Sequence, residues 1–189
     1  MHDIEPYWRW RDRYTAEHDD RSPFFGRSYD EFGYSTRCYN YLIHPQWDHF
    51  GSPTLYLKIL FADYDRGACI IEMIGEWNDV VHNDIMYLKR EVVDVLVRSG
   101  IHRFILIGEN VLNFHGQDDD YYDEWSSDIV GEDGYIILLN FREHLLGEMD
   151  DHGITPYVDG CHDLPDWRRL SPADLITWNE RRREMVLGQ

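Results

Sequence analysis

One stretch, residues 68–125, constrains this chain more than any other. Ala68-Cys69-Ile70-Ile71-Glu72-Met73-Ile74 is a short apolar run between Asp65-Arg66-Gly67 and Gly75. That length and punctuation predict a largely buried strand. After Gly75-Glu76-Trp77-Asn78, Asp79 offers a carboxylate to the free amides of a first helical turn. Val81, Ile85, Leu88, Val92, Val95 and Leu96 then recur at helical spacing as one apolar stripe, with Asp84, Lys89, Arg90, Glu91 and Asp94 opposite. Gly100 supplies a left-handed stop, and residues 101–107 form a second apolar run closed by Gly108. Strand, helix and strand in this order predict parallel pairing with a right-handed crossover.

The flanking sequence adds to this unit. Residues 54–61 read as a strand with partial alternation, and Asp63-Tyr64-Asp65-Arg66-Gly67 as the tight turn of an antiparallel hairpin. Asp63 and Asp65 are potential cation ligands, but Asp serves turns for backbone reasons alone. After residue 107 an acidic loop leads into a helix from Tyr121 to Ile129. Residues 135–139 are a very apolar strand, 141–151 a helix stopped by Gly153, and 154–158 a last strand. Pro156 places that last strand at an edge, since it cannot donate to a ladder. Residues 159–166 read as a loop, and Ser171-Pro172 opens a terminal helix to about Met185.

Residues 1–54 differ in character. They hold about half of the aromatic residues and little aliphatic patterning. Asp3 to Tyr14 suggest a helix, with Asp3 as cap and Tyr7, Trp10 and Tyr14 on one face, and residues 39–43 suggest a short strand. The aromatics read as structural: they lay an extension over residues 55–189 or onto a second subunit.

Composition bounds the function. The net charge is −18, with 36 acidic against 18 basic residues. Phosphate backbones and anionic membrane surfaces are repelled by such a chain, so neither nucleic acid nor membrane is an expected partner. A protein with a basic patch, or a second copy of the chain, fits better. Cys38, Cys69 and Cys161 are scattered and odd in number, which fits reduced thiols in a cytoplasm. No apolar run approaches the ~20 residues needed to span a bilayer.

The element order β-β-α-β-α-β-α-β-α resembles the STAS domain, found in anti-sigma factor antagonists and in the cytoplasmic tails of sulphate transporters. Four local features carry the resemblance, over about residues 55–158. They are Ile74-Gly75-Glu76-Trp77-Asn78-Asp79, similar to that family's Gly-Glu-Leu-Asp turn; residues 100–107 as its second parallel strand; Val111-Leu112-Asn113-Phe114; and residues 136–154. The resemblance implies a mixed α/β sheet of four to five strands and a protein-interaction role. It also implies a phosphorylated serine after Phe114, and here the chain departs. His115-Gly116-Gln117-Asp118-Asp119-Asp120 contains no Ser or Thr; Ser126 and Ser127 come later.

Three functional readings follow, one of them a homodimer with a structural role joined by the aromatic arm. The first is a non-enzymatic interaction module. Its partner face is the loop and helix start, with Asn113, His115, Asp118, Asp119, Asp120, Tyr121 and Tyr122. The second is an enzyme or a binder of a small ligand or divalent cation, because open parallel sheets bind ligands beyond the carboxyl ends of their strands. Those ends supply Glu76, Asp79, Glu109, Asn110, His115 and Asn140. No Gly-rich phosphate loop, GxSxG elbow or HExxH motif is present, and the Asp run lacks the glycine and terminal glutamate of an EF-hand. The residues therefore indicate no cofactor and no metal.

Overall fold

The computed structural model describes residues 4–30 and 32–187. Two short strands, β1 (Arg37–Cys38) and β2 (Tyr41–Leu42), form an antiparallel ribbon turned by Tyr39 at φ 53°. The main sheet holds β3 (Leu55–Asp63), β4 (Ala68–Asn78), β5 (Arg103–His115), β6 (Tyr135–Leu139) and β7 (Gly160–His162), side by side in that order. β3 and β4 are antiparallel, and β4 through β7 are parallel. This is the mixed sheet that the apolar runs predict. The hairpin turn is backbone-driven: Asp63 Oδ1 accepts from the amides of Asp65 and Arg66.

Glycine does not end β4 or β5 where expected. Gly75 has φ +116°, and a Cβ there would lie 2.0 Å from the Thr54 carbonyl oxygen, so only glycine fits. The β4–β5 register shifts between Glu72 and Ile74 and again between Gly75 and Glu76. These bulges absorb Gly75 and Gly108, and pairing continues to Asn78 and His115. Glu76, Asn110, Asn113 and His115 thus lie on strands rather than in loops.

The crossover is helical but broken. α1 (Asp79–His82) ends at Asn83, in the left-handed region at φ 53°. α2 (Asp84–Tyr87), a π segment from Leu88 to Val93, and α3 (Asp94–Arg98) then run on as one rod. The break puts Val81 out of phase with the stripe, and it is exposed. Ile85, Leu88, Val92 and Leu96 are buried as predicted, together with Val93. Asp84 and Lys89, expected on the polar side, are also buried, and Val95 is only half-buried. The cap is Asn78, whose Oδ1 accepts from the Val81 amide at 2.9 Å; Asp79 sits one residue inside.

With α4 (Asp120–Val130) and α5 (Glu143–Asp151), this rod covers one face of the sheet. The other face carries α6 (Pro172–Leu187) and the start of the amino-terminal arm, with Tyr7 and Trp10, whereas Ala16 and Phe24 further along the arm pack into the core of the first face. The arm is not a helix over residues 4–14: residues 4–8 are irregular and residues 9–13 form turns, and Asp3 lies outside the described residues. Tertiary aromatic contacts hold it: Trp10 meets Tyr7 at 5.1 Å and Trp167 at 5.6 Å. Trp10 and Phe24 are buried, whereas Trp8 and Phe25 are exposed.

The last strand is displaced from its expected place. Residues 155–157 form a 3-10 turn, pinned by Thr155 Oγ1 donating to Asp150 at 2.5 Å. The edge strand is β7, within the segment read as loop. Pro156 lacks the N–H that a strand at 154–158 would need.

Candidate functional site

The carboxyl ends of β4, β5 and β6 bring the predicted polar residues near one rim, but they do not converge. Asp79 is a core residue, 1% exposed. Its Oδ1 accepts from the Ile85 amide at 2.8 Å and the Trp77 indole at 3.0 Å, and its Oδ2 from the Tyr122 hydroxyl at 2.7 Å. Burial lifts its pKa to about 6 despite these donors. Asp84 is similarly turned inward, accepting from the Asn78 amide at 2.8 Å.

Glu76 accepts from the Tyr39 hydroxyl at 2.6 Å and from Asn113 Nδ2 at 2.9 Å. Asn140, at φ 56°, clasps the backbone of Leu164, accepting from its amide at 2.7 Å and donating to its carbonyl at 3.1 Å. Asn110 is half-buried opposite Ile74, and His115 is exposed opposite Asn78. Glu109 faces the 3-10 turn at residues 167–169 before α6, where Arg168 donates to it. Glu72 lies beside it, 1% exposed, accepting from the Tyr7 amide at 2.7 Å and from Arg168 at 3.4 Å. Burial raises Glu72 to about 7, opposed by those two donors and reinforced by Glu109.

The loop and helix start are arranged differently. Asp118 and Asp120 are exposed, as is Asp123 one helical turn on. Asp119 is half-buried, and its carboxylate accepts from the Tyr157 hydroxyl at 2.6 Å. Tyr121 is half-buried under the Arg90 guanidinium, 5.4 Å from its ring centre. Tyr122 is inside, stacked on Trp77 with ring centres 6.3 Å apart, and presents nothing outward. A helical stripe of Tyr122, Trp125 and Ile129 was available in the sequence to place it there.

Sequence reasoning missed one charged cluster. Lys89 is fully buried, and its ammonium donates to Asp128 at 2.8 Å, to Glu124 at 3.2 Å and to Asp94. The three carboxylates lie close enough together to share a cation, and the lysine is that cation. Arg90 closes the rim with paired bonds to Glu124. Asp94 and Lys89 are five residues apart and Glu124 and Asp128 are on another helix, so no local motif announces the group.

No helix among the described residues is long and apolar enough to cross a membrane. No protein-family model and no curated protein matches the chain. Among solved structures, it is similar to the Bacillus cell fate determinant SpoIIAA in the phosphorylated form, at 12% identity and TM-score 0.43, over 64% of this chain and 96% of that one. It is also similar to the anti-sigma factor antagonist SpoIIAA in its unphosphorylated form, at 13% identity and TM-score 0.47, over 70% of this chain and 97% of that one. By strand order and pairing, the chain has the mixed α/β sheet that its sequence predicts.

Proposed function

We propose that this chain is a non-enzymatic protein-interaction module, and that a partner with a basic patch docks on the rim formed by His115, Asp118, Asp120 and Asp123. One contrast supports this reading. At the strand ends Glu76, Asp79, Glu109 and Asn140 are all bonded within the fold, whereas the three rim aspartates are exposed. A cluster of outward carboxylates on a chain of net charge −18 attracts cationic surfaces and speeds their encounter.

The test is a photo-crosslinking residue placed at position 120, with position 65 on the hairpin turn as control. The expected result is a defined cross-linked protein from position 120 alone. It should fade with added salt and vanish in the triple variant Asp118→Asn, Asp120→Asn, Asp123→Asn. Asp119 is left intact because it holds Tyr157. Identical products from both positions, or a product indifferent to the triple variant, would overturn the reading. A turnover or ligand-induced stabilisation that Glu76→Gln or Glu109→Gln abolishes would favour the strand-end site instead.

A further inference from the structure

On the sheet face away from α4, one cleft of this acidic protein carries three arginines in its lining. It measures about 400 Å³ where the arm meets the turn before α6, lined by Glu5, Pro6, Tyr7, Trp8 and Arg9 on one side and Arg168 and Arg169 on the other. Sites for small molecules commonly fall in this size range.

The cations differ in freedom. Arg168 is anchored: its side chain donates to Glu109 and Glu72, and its backbone carbonyl accepts from the Tyr7 hydroxyl at 2.6 Å. Arg169 is 81% exposed, and its contact with the equally open Asp166 is 3.4 Å long. An exposed pair of this kind holds little, so its guanidinium is available to a better anion. Arg9 lies over the Trp8 ring at 5.9 Å.

Of the carboxylates, Glu72 and Glu109 share Arg168, and Glu5, the one that lines the cleft, bonds Arg11 at 3.1 Å in a partly exposed pair, so three arginines face one carboxylate there. Trp8 completes the site. Its neighbour Trp10 is buried, yet Trp8 is 56% exposed, presenting indole surface beside the cations. A flat ring stacks on such a surface with little dependence on its identity. Guanidinium forks match phosphate oxygens in pairs.

We propose that this cleft binds a small phosphate ester carrying a flat aromatic ring. The ring lies on Trp8, the phosphate takes Arg9 and Arg169, and Arg168 forms the fixed wall. A nucleoside monophosphate and a simple aryl phosphate share this chemistry. The inference is independent of the acidic rim, which lies across the sheet.

The experiment is calorimetric titration of the full chain with adenosine monophosphate, phenyl phosphate, adenosine and inorganic phosphate. At least one of the two esters should bind about tenfold or more tightly than both adenosine and inorganic phosphate. Binding by both esters identifies a general aryl phosphate site, and binding by the nucleotide alone identifies a nucleotide site. Trp8→Ala should reduce the ester to the level of inorganic phosphate. Arg9→Ala with Arg169→Ala should weaken it about tenfold or more. All three side chains are at the surface, so melting temperatures should stay near that of the unaltered chain. Esters that bind no better than inorganic phosphate, or equally well to these variants, would overturn the proposal.

Discussion

The Tyr122 hydroxyl donates to Asp79 Oδ2 across 2.7 Å, joining the start of α4 to the turn that ends β4, with both residues buried. Tyr122→Phe keeps the ring against Trp77 but leaves Oδ2 without its donor. The expected cost is about 1–3 kcal/mol by urea denaturation. It should depend on pH. Burial raises Asp79 to about 6, so its contribution to stability is complete below the ordinary carboxylate range and is lost as pH rises through 6. The phenol opposes that rise by favouring the charged form. The variant should therefore lose more at pH 8 than at pH 4.

Lys89→Met should be costly, by about 3–5 kcal/mol, because it leaves Asp94, Glu124 and Asp128 clustered without their buried cation. Burial acts to raise Asp94, but bonds from Lys89 and Arg90 hold it below its ordinary value. A carboxylate lowered in this way adds stability above its unfolded pKa, and that stability is lost as pH falls through the folded one. In the variant, acid should instead relieve repulsion. Melting curves from pH 7 to pH 3 should separate the two slopes.

Glu72→Gln tests the opposite sign. Burial lifts Glu72 from 4.5 to about 7, so the folded state holds its proton more tightly than the unfolded chain does. Its contribution is complete below 4.5 and is lost as pH rises through about 7. Over that window the unaltered chain should lose on the order of 3 kcal/mol relative to the glutamine variant. Parallel denaturation profiles would show that Glu72 is not the titrating group.

Trp8 and Trp10 form a matched pair for testing the arm. Trp10→Ala removes a ring packed between Tyr7 and Trp167 and should cost about 3–5 kcal/mol. Trp8→Ala removes an exposed ring and should stay within about 0.5 kcal/mol. Deleting residues 1–33 should lower the melting temperature clearly, since Trp10 and Phe24 go with them. A truncated chain that melts like the whole would show the arm to be dispensable.

The sheet was legible because β3, β4, β5 and β6 are apolar runs of strand length, and the hairpin and crossover dictate their directions. Their ends were less legible. Gly75 and Gly108 look like stops, but bulges can absorb them while pairing continues. The site was less legible still. In a linear reading Asp79 is a helix cap, Lys89 lies on the polar side of the stripe and Glu72 has no stated role in its buried strand, and each is held inside because distant elements bring it partners: Tyr122 from α4, the α4 carboxylates, and the arm amide with Arg168. Charged residues enter a core only as parts of such groups, and sequence spacing does not encode those groups.

The contact between Trp10 and Trp167 also sets an order of events during synthesis. The arm leaves the ribosome before its partner exists, because the indole it packs against is made more than 150 residues later. At ~5–20 residues per second, that is a wait on the order of 10 s. Throughout it, Tyr7 and Trp10 have no Trp167 to cover them, and Glu72 has no Arg168. The central strands can pair in that interval, so the face under the arm is the last part of the molecule to close.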